Sequence, residues 1–344
     1  MIVFFSNKFP EIEIIEFTKN HHRKRYAEKK DYLLKLYKKK NVEIFIYNFE
    51  FTGDIIKEPF QKVNGNLLKK LSQIIPFAYE KISILYELTD LFYRNFPEKK
   101  HFILSDTGFF STLPEYVSNY ALPYEFVKKK IKRYGVSGLL HQWVYEKTNK
   151  TSNKKGNKVI SVYLSDFPNI CTIKNGKAIE SSVGFTPVEG LPSIKTVGEL
   201  DSQIIFFLYV CGFTMNEIHE ILTSKSGFSS ILGKNCDIDD VVKNKKTRDI
   251  LRYYILKHIG AYIGILNGID RIIFSGKKNN LILDFIKYCC EEMNFIEIKI
   301  KDKIRQGEDI FYLTDKESDV EVCFIKENRM EMIKYYIEEI KKEE

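Results

Sequence analysis

Residues 106–141 read DTGFFSTLPEYVSNYALPYEFVKKKIKRYGVSGLLH, and this stretch decides the reading of the chain. A short apolar run, residues 101–104, precedes it and reads as a buried strand that delivers Asp106 at its C-terminal end. Strand ends can present residues to a cleft, the sharper reading of Asp106's position. The plainer reading is that Asp106-Thr107-Gly108 forms a turn in which the carboxylate caps nearby amides. A second dense stretch, GFTPVEGL at residues 184–191, pairs two glycines with a proline turn.

Working outward, residues 2–5 and 12–17 read as two strands joined by a turn at Pro10. A basic segment at 21–40 carries a partial helical stripe through Leu33, Leu34, Leu36 and Tyr37, and residues 42–51 read as a strand. Helices are expected at 66–75, 79–96, 202–211, 215–222, 248–266 and 280–293, with a closing helix at 329–342. Asn175-Gly176 predicts a hairpin between strands 170–173 and 177–181. Late strands are expected at 296–300 and 320–325. Strands arriving in groups before helices, twice over, suit two α/β domains around a cleft. No internal repeat is visible.

Composition narrows the class. The chain has 344 residues, 44% of them apolar, which suffices for two domains and a sizeable core. The net charge of +8 rests on lysine enrichment and requires no anionic partner. Six cysteines without a CxxC pair suit reduced, buried thiols in a cytoplasmic protein. The longest apolar run, 204–213, is half of the ~20 residues that span a bilayer. Neither metal-ligand spacing nor a serine-hydrolase elbow is present. Basic runs at 21–25, 38–40 and 128–133 lie among Tyr26, Tyr37 and Tyr134, but no nucleic-acid module accompanies them.

Residues 106–141 resemble the acetate kinase family, whose counterpart runs roughly DTAFHQTMP…YALPYE…IRRYGFHGTSH. Residues 184–191 are close to that family's MGFTPLEGL. Ser226-Gly227-Phe228, IGAYIGILNGID at 259–270 and Ile273-Phe274-Ser275-Gly276 follow in the family's order. The resemblance implies an α/β, two-domain duplicated fold of the acetate and sugar kinase, heat-shock chaperone and actin superfamily. It places domain one at 1–105 plus 326–344 and domain two at 106–325, with dimerisation through domain two. It also implies Mg-ATP as cofactor wherever activity remains, with Asp106 as the catalytic aspartate and Phe109, Pro187 and Gly276 at cleft positions.

Phosphoryl transfer needs cations and backbone donors around a highly charged transition state. Several positions that supply them in the family differ here. The first phosphate turn, N-x-G-S-S-S, corresponds to residues 6–11, SNKFPE, which has no glycine and carries Pro10 without an N–H and the carboxylate Glu11. Its arginine strand corresponds to residues 47–54, with Phe49 at the arginine. The LHNP motif falls on residues 77–80. Phe110 and Ser137 stand for two histidines, while His141 matches a third. The second phosphate loop, H-L-G-N-G-S-S, becomes YLSDFPN at 163–169. The second arginine falls at Thr196, one residue from Lys195. The nucleotide turn becomes FSGKKNN at 274–280, with Lys277 and Lys278 where nucleotide would approach. The late acid run becomes residues 327–330.

Removing one electrostatic stabiliser commonly costs ~10²–10³ in rate. The expected reading is therefore an acetate kinase-like protein without catalysis, paired with itself or with an active relative. Two alternatives stand beside it. One is a redirected carboxyl phosphotransferase using Asp106 with Lys195, Lys277 or Lys278 as substitute cations. The other is a basic polyanion binder.

Overall fold

The computed structural model describes residues 1–8, 10–19, 21–75, 79–152, 154, 156–301, 309–315 and 317–343. The chain divides into two compact units, residues 1–111 with 136–139 and residues 112–135 with 140–344.

In the first unit β1 (Ile2–Lys8) and β2 (Glu11–Phe17) form the expected hairpin, and β3 (His22–Ala27) extends it. Residues 22–27, read from the sequence only as the start of a basic segment, form an edge strand. Charge pairing accounts for this placement. Lys24 reaches the buried Glu13 at 2.6 Å, and Arg25 reaches Glu16 at 2.6 Å, while Glu16 also receives Lys40 and the Tyr37 hydroxyl. Basic side chains on an edge strand also discourage pairing with another chain.

Then follow α1 (Lys30–Tyr37), β4 (Ile44–Phe49), β5 (Phe60–Lys62), α2 (Gly65–Ser72), α3 (Tyr79–Asn95), β6 (Lys100–Ser105) and α4 (Asp106–Phe109). Strand β5 carries too few apolar residues to announce itself in the sequence. The sheet order is β3-β2-β1-β4-β6-β5, with β1, β4 and β6 parallel. Phe45, Tyr47 and Phe49 alternate onto one face of β4 and meet Phe5 and Phe92 in the core.

The second unit contains α5 (Glu115–Ser118), α6 (Tyr124–Lys128), most of α7 (Gly138–Thr151), then β7 (Lys158–Leu164), β8 (Asn169–Lys174) and β9 (Lys177–Ser181). Asn175 and Gly176 both adopt positive φ in the β8–β9 turn, as the dipeptide predicts. Helices α8 (Gln203–Val210), α9 (Met215–Thr223), α10 (Gly227–Leu232), α11 (Ile238–Lys243) and α12 (Lys245–Leu266) come next. Asn244 starts α12 by accepting two backbone amides, and Leu251, Ile255, Ile259, Tyr262 and Leu266 form its buried stripe.

The unit closes with β10 (Arg271–Gly276), α13 (Asn280–Cys290), β11 (Ile310–Tyr312), β12 (Glu321–Lys326) and α14 (Arg329–Lys342). Residues 296–300, expected as a strand, contribute only an isolated bridge between Ile300 and Thr314. Helix α14, expected on the first domain, belongs to the second unit. Its Tyr336 hydroxyl donates to Gln142 and its Glu331 accepts from Lys147 at 2.6 Å.

This sheet runs β11-β12-β10-β7-β8-β9, with β7, β10 and β12 parallel. Matching β1 to β7, β2 to β8 and so on to β12 reproduces the first sheet strand for strand. The duplication absent from the sequence is explicit in the topology. Gly276 sits where β10 is pressed against β7, and a Cβ there would stand 2.3 Å from the Leu164 carbonyl oxygen at a φ of +154°. Gly276→Ala should therefore cost ~2–4 kcal/mol of stability, read as a lowered melting temperature. An unchanged melting temperature would contradict this close approach.

Candidate active site

Parallel strands leave their C-terminal ends on one edge of each sheet, and the residues expected to matter collect there. In the first unit these ends carry Ser6, Phe49 and Asp106. The Ser6 hydroxyl donates to the buried Glu13 at 2.7 Å, across the β1–β2 pair. Phe49 is fully buried among the core aromatics. Ser105, Thr107 and Thr52 form a buried hydroxyl cluster at the ends of β4 and β6, with Thr52 and Ser105 oxygens 2.7 Å apart. Of the stretch matched to LHNP, residues 77 and 78 lie outside the described residues.

Asp106 opens α4, and its Oδ1 accepts the Leu139 amide at 3.1 Å, which caps the start of α7. This is the plainer of its two readings. Phe109 and Phe110 are both buried and stack edge to face at 5.6 Å, so Phe109 packs as core. Ser137 holds a positive φ just before α7.

His141 is a structural histidine of the second unit. Its Nε2 faces Asn169 Oδ1 at 2.7 Å, and its Nδ1 faces Ser161 Oγ at 2.8 Å. The Asn169 amide nitrogen donates to the Phe167 carbonyl, so Oδ1 is left to accept, and Nε2 carries the proton. Complete burial pushes His141 down to about 4.

At the matching edge of the second sheet lie residues 163–169, Gly276 and Glu327. Ser165 Oγ bonds both the amide and the carbonyl of Phe167, closing the loop on itself. Asp166 Oδ1 accepts the Ile238 amide at 3.1 Å. Glu327 follows β12 and hydrogen-bonds Tyr163, whose hydroxyl burial and this carboxylate push up. Lys277 reaches Asp239 at 2.5 Å, and Asn279 donates to the same carboxylate at 2.7 Å. Lys278 lies over the Phe311 ring at 4.3 Å. Lys195 is exposed in the loop after residue 191, and its side chain has no ionic partner among the described residues. The structure thus places Lys277 with Asp239 and Lys278 on an aromatic face, and it brings neither to Lys195. Three carboxylates at or beside this edge do not fit a triphosphate, which needs donors. No group of three or more His, Cys, Asp or Glu side chains among the described residues could hold a metal ion.

Sequence reasoning missed the arrangement around Glu189. The loop at 184–191 turns through Pro187, where the Glu189 amide donates to the Thr186 carbonyl, and brings the Glu189 carboxylate to the Tyr120 hydroxyl. Arg133 reaches the other Glu189 oxygen at 2.7 Å and lies over the Tyr120 ring at 5.3 Å. A Cβ on Gly184 would stand 1.8 Å from Glu189 Oε2, so only glycine admits this carboxylate. Tyr120, Arg133 and Glu189 all fall within the stretches quoted above, and that was the available signal.

The histidine generates a pH prediction. His141 is held at about 4 in the folded chain against an ordinary value of 6.5, so its proton binds the unfolded chain first as pH falls. Stability is whole above pH 6.5 and should fall by about 3 kcal/mol towards pH 4, with buried His101 acting in the same direction. Denaturant melts of His141→Gln should show a flatter profile over that window; an unchanged slope would exclude His141 as its source.

Comparison with known proteins places this architecture. A model of the acetokinase family matches residues 57–335. The acetate kinase of Thermosipho melanesiensis is 36% identical over 246 residues, 66% of this chain and 60% of its own length. That of Campylobacter jejuni is 37% identical over 219 residues, 59% and 54% of the two chains. The matches thus span little more than half the length of these relatives. Among solved structures, the acetate kinase of Entamoeba histolytica superposes with a TM-score of 0.86 over 98% of both chains at 19% identity. The Porphyromonas gingivalis enzyme gives 0.82 over 97% of this chain and 98% of its own at 22% identity, a likeness that shows the fold. With both sheets in place and a family model covering most of its length, the chain belongs to the acetokinase family.

Proposed function

We propose that this chain is a non-catalytic acetokinase-family protein, active through association and located in the cytoplasm. One observation carries the reading: the turn after β7 is closed on itself and bears Asp166 where phosphate would need amides. Phe49 in the core, Ser137 before α7 and Asp239 on Lys277 point the same way. The resemblance implies Mg-ATP for any residual activity, and the residues at this edge suit it poorly. The retained Asp106 and the unpaired Lys195 favour the second reading, a redirected carboxyl phosphotransferase.

Helix α8, QIIFFLYV, supports association. None of its residues is buried, and Phe206, Phe207 and Val210 are 63%, 66% and 83% exposed. An apolar helix of this kind suits burial against a second copy or an active relative. No helix among the described residues is long and apolar enough to cross a membrane.

Acetyl phosphate formation from acetate and Mg-ATP, trapped with hydroxylamine, should stay at the level of an Asp106→Asn variant. Turnover that this substitution abolishes would establish the phosphotransferase instead. Light scattering after gel filtration should give a dimer that Phe206→Glu with Phe207→Glu converts to monomer; a monomeric parent would remove self-association and leave the active relative as partner.

A further inference from the structure

The second unit contains a cavity of about 590 Å³ between residues 116–121, β9, the 182–199 loop and α12. Its charged lining is Glu180, Glu189 and Glu199 against Arg133 and Lys257. Both cations are already engaged, Arg133 by Glu189 at 2.7 Å and Lys257 by Glu199. His258 adds no charge: its Nδ1 lies 2.9 Å from the Tyr254 carbonyl, and burial lowers its pKa.

Two groups are left over. Glu180 has no ionic partner among the described residues, and only the Ser181 amide, at 2.9 Å, donates to it. Burial raises its carboxyl, against the opposing pull of the Ser181 amide and the Arg133 charge. Tyr262 is 5% exposed, lines the cavity, and has no hydrogen-bond partner for its hydroxyl among the described residues. Its oxygen can accept a hydrogen bond from a ligand in the cavity it lines.

We propose that this cavity binds a small organic cation bearing a primary ammonium group. The ammonium donates to Glu180 and to the Tyr262 oxygen, and the local charge of two cations against three carboxylates favours it over an anion. Tyr120 and Tyr262 supply aromatic faces for its alkyl chain and charge. Glu199 stands four residues before α8 and pairs with Lys257 on α12. The proposal holds whether or not phosphoryl transfer survives.

Calorimetric titration of the full chain with 1,4-diaminobutane tests it, with 1,4-butanediol and succinate as neutral and anionic controls. Saturable one-to-one binding of the diamine alone is expected, weakened at least about tenfold by Glu180→Gln and several-fold by Tyr262→Phe. Unchanged melting of both variants without diamine would establish that they fold. Equal binding by Glu180→Gln, preference for succinate, or no saturable heat in the millimolar range would each overturn the site.

Discussion

Parallel strands cannot be joined by hairpins, and this constraint organises the molecule. In each unit three parallel strands require crossovers, and the chain leaves them on one edge of the sheet. Ser6, Phe49 and Asp106 are gathered by that rule in the first unit. Leu164, Gly276 and Glu327 are gathered by it in the second. The antiparallel strands β2, β3 and β8, β9 only widen the sheets.

Carboxylates stand at both of those edges. A transferring phosphoryl group is stabilised by amides, arginines and metal ions. Here Glu13 holds Ser6, Asp166 caps α11, Glu327 holds Tyr163 and Asp239 takes Lys277. Each of these carboxylates engages a group of the protein itself. Asp106 fits the same pattern by capping α7.

Tyr120, Arg133 and Glu189 bring two distant sequence stretches together around one carboxylate. Their geometry depends on Gly184, which lets Glu189 approach closer than any side chain would permit. The cavity beside them takes its charge from the same residues: Arg133 pairs directly with Glu189, while Glu180 receives only the Ser181 amide as a hydrogen-bond donor.

The sequence by itself determined the family, most helices, the β8–β9 hairpin and the strand that delivers Asp106. These are local properties: periodicity, turn dipeptides and short motifs carry them within a few residues. It did not show β3, whose lysines and arginines become strand residues only because Glu13 and Glu16 are buried opposite them. Nor did it show that α14 belongs to the second unit, which rests on Tyr336 and Glu331 meeting α7. The duplication of the two sheets was likewise invisible, since strand order constrains topology and leaves side chains free to diverge. Burial of Phe49 and the bond from Asp106 to Leu139 are both long-range facts. Only the folded chain decides them, because each depends on a neighbour that the sequence places dozens of residues away.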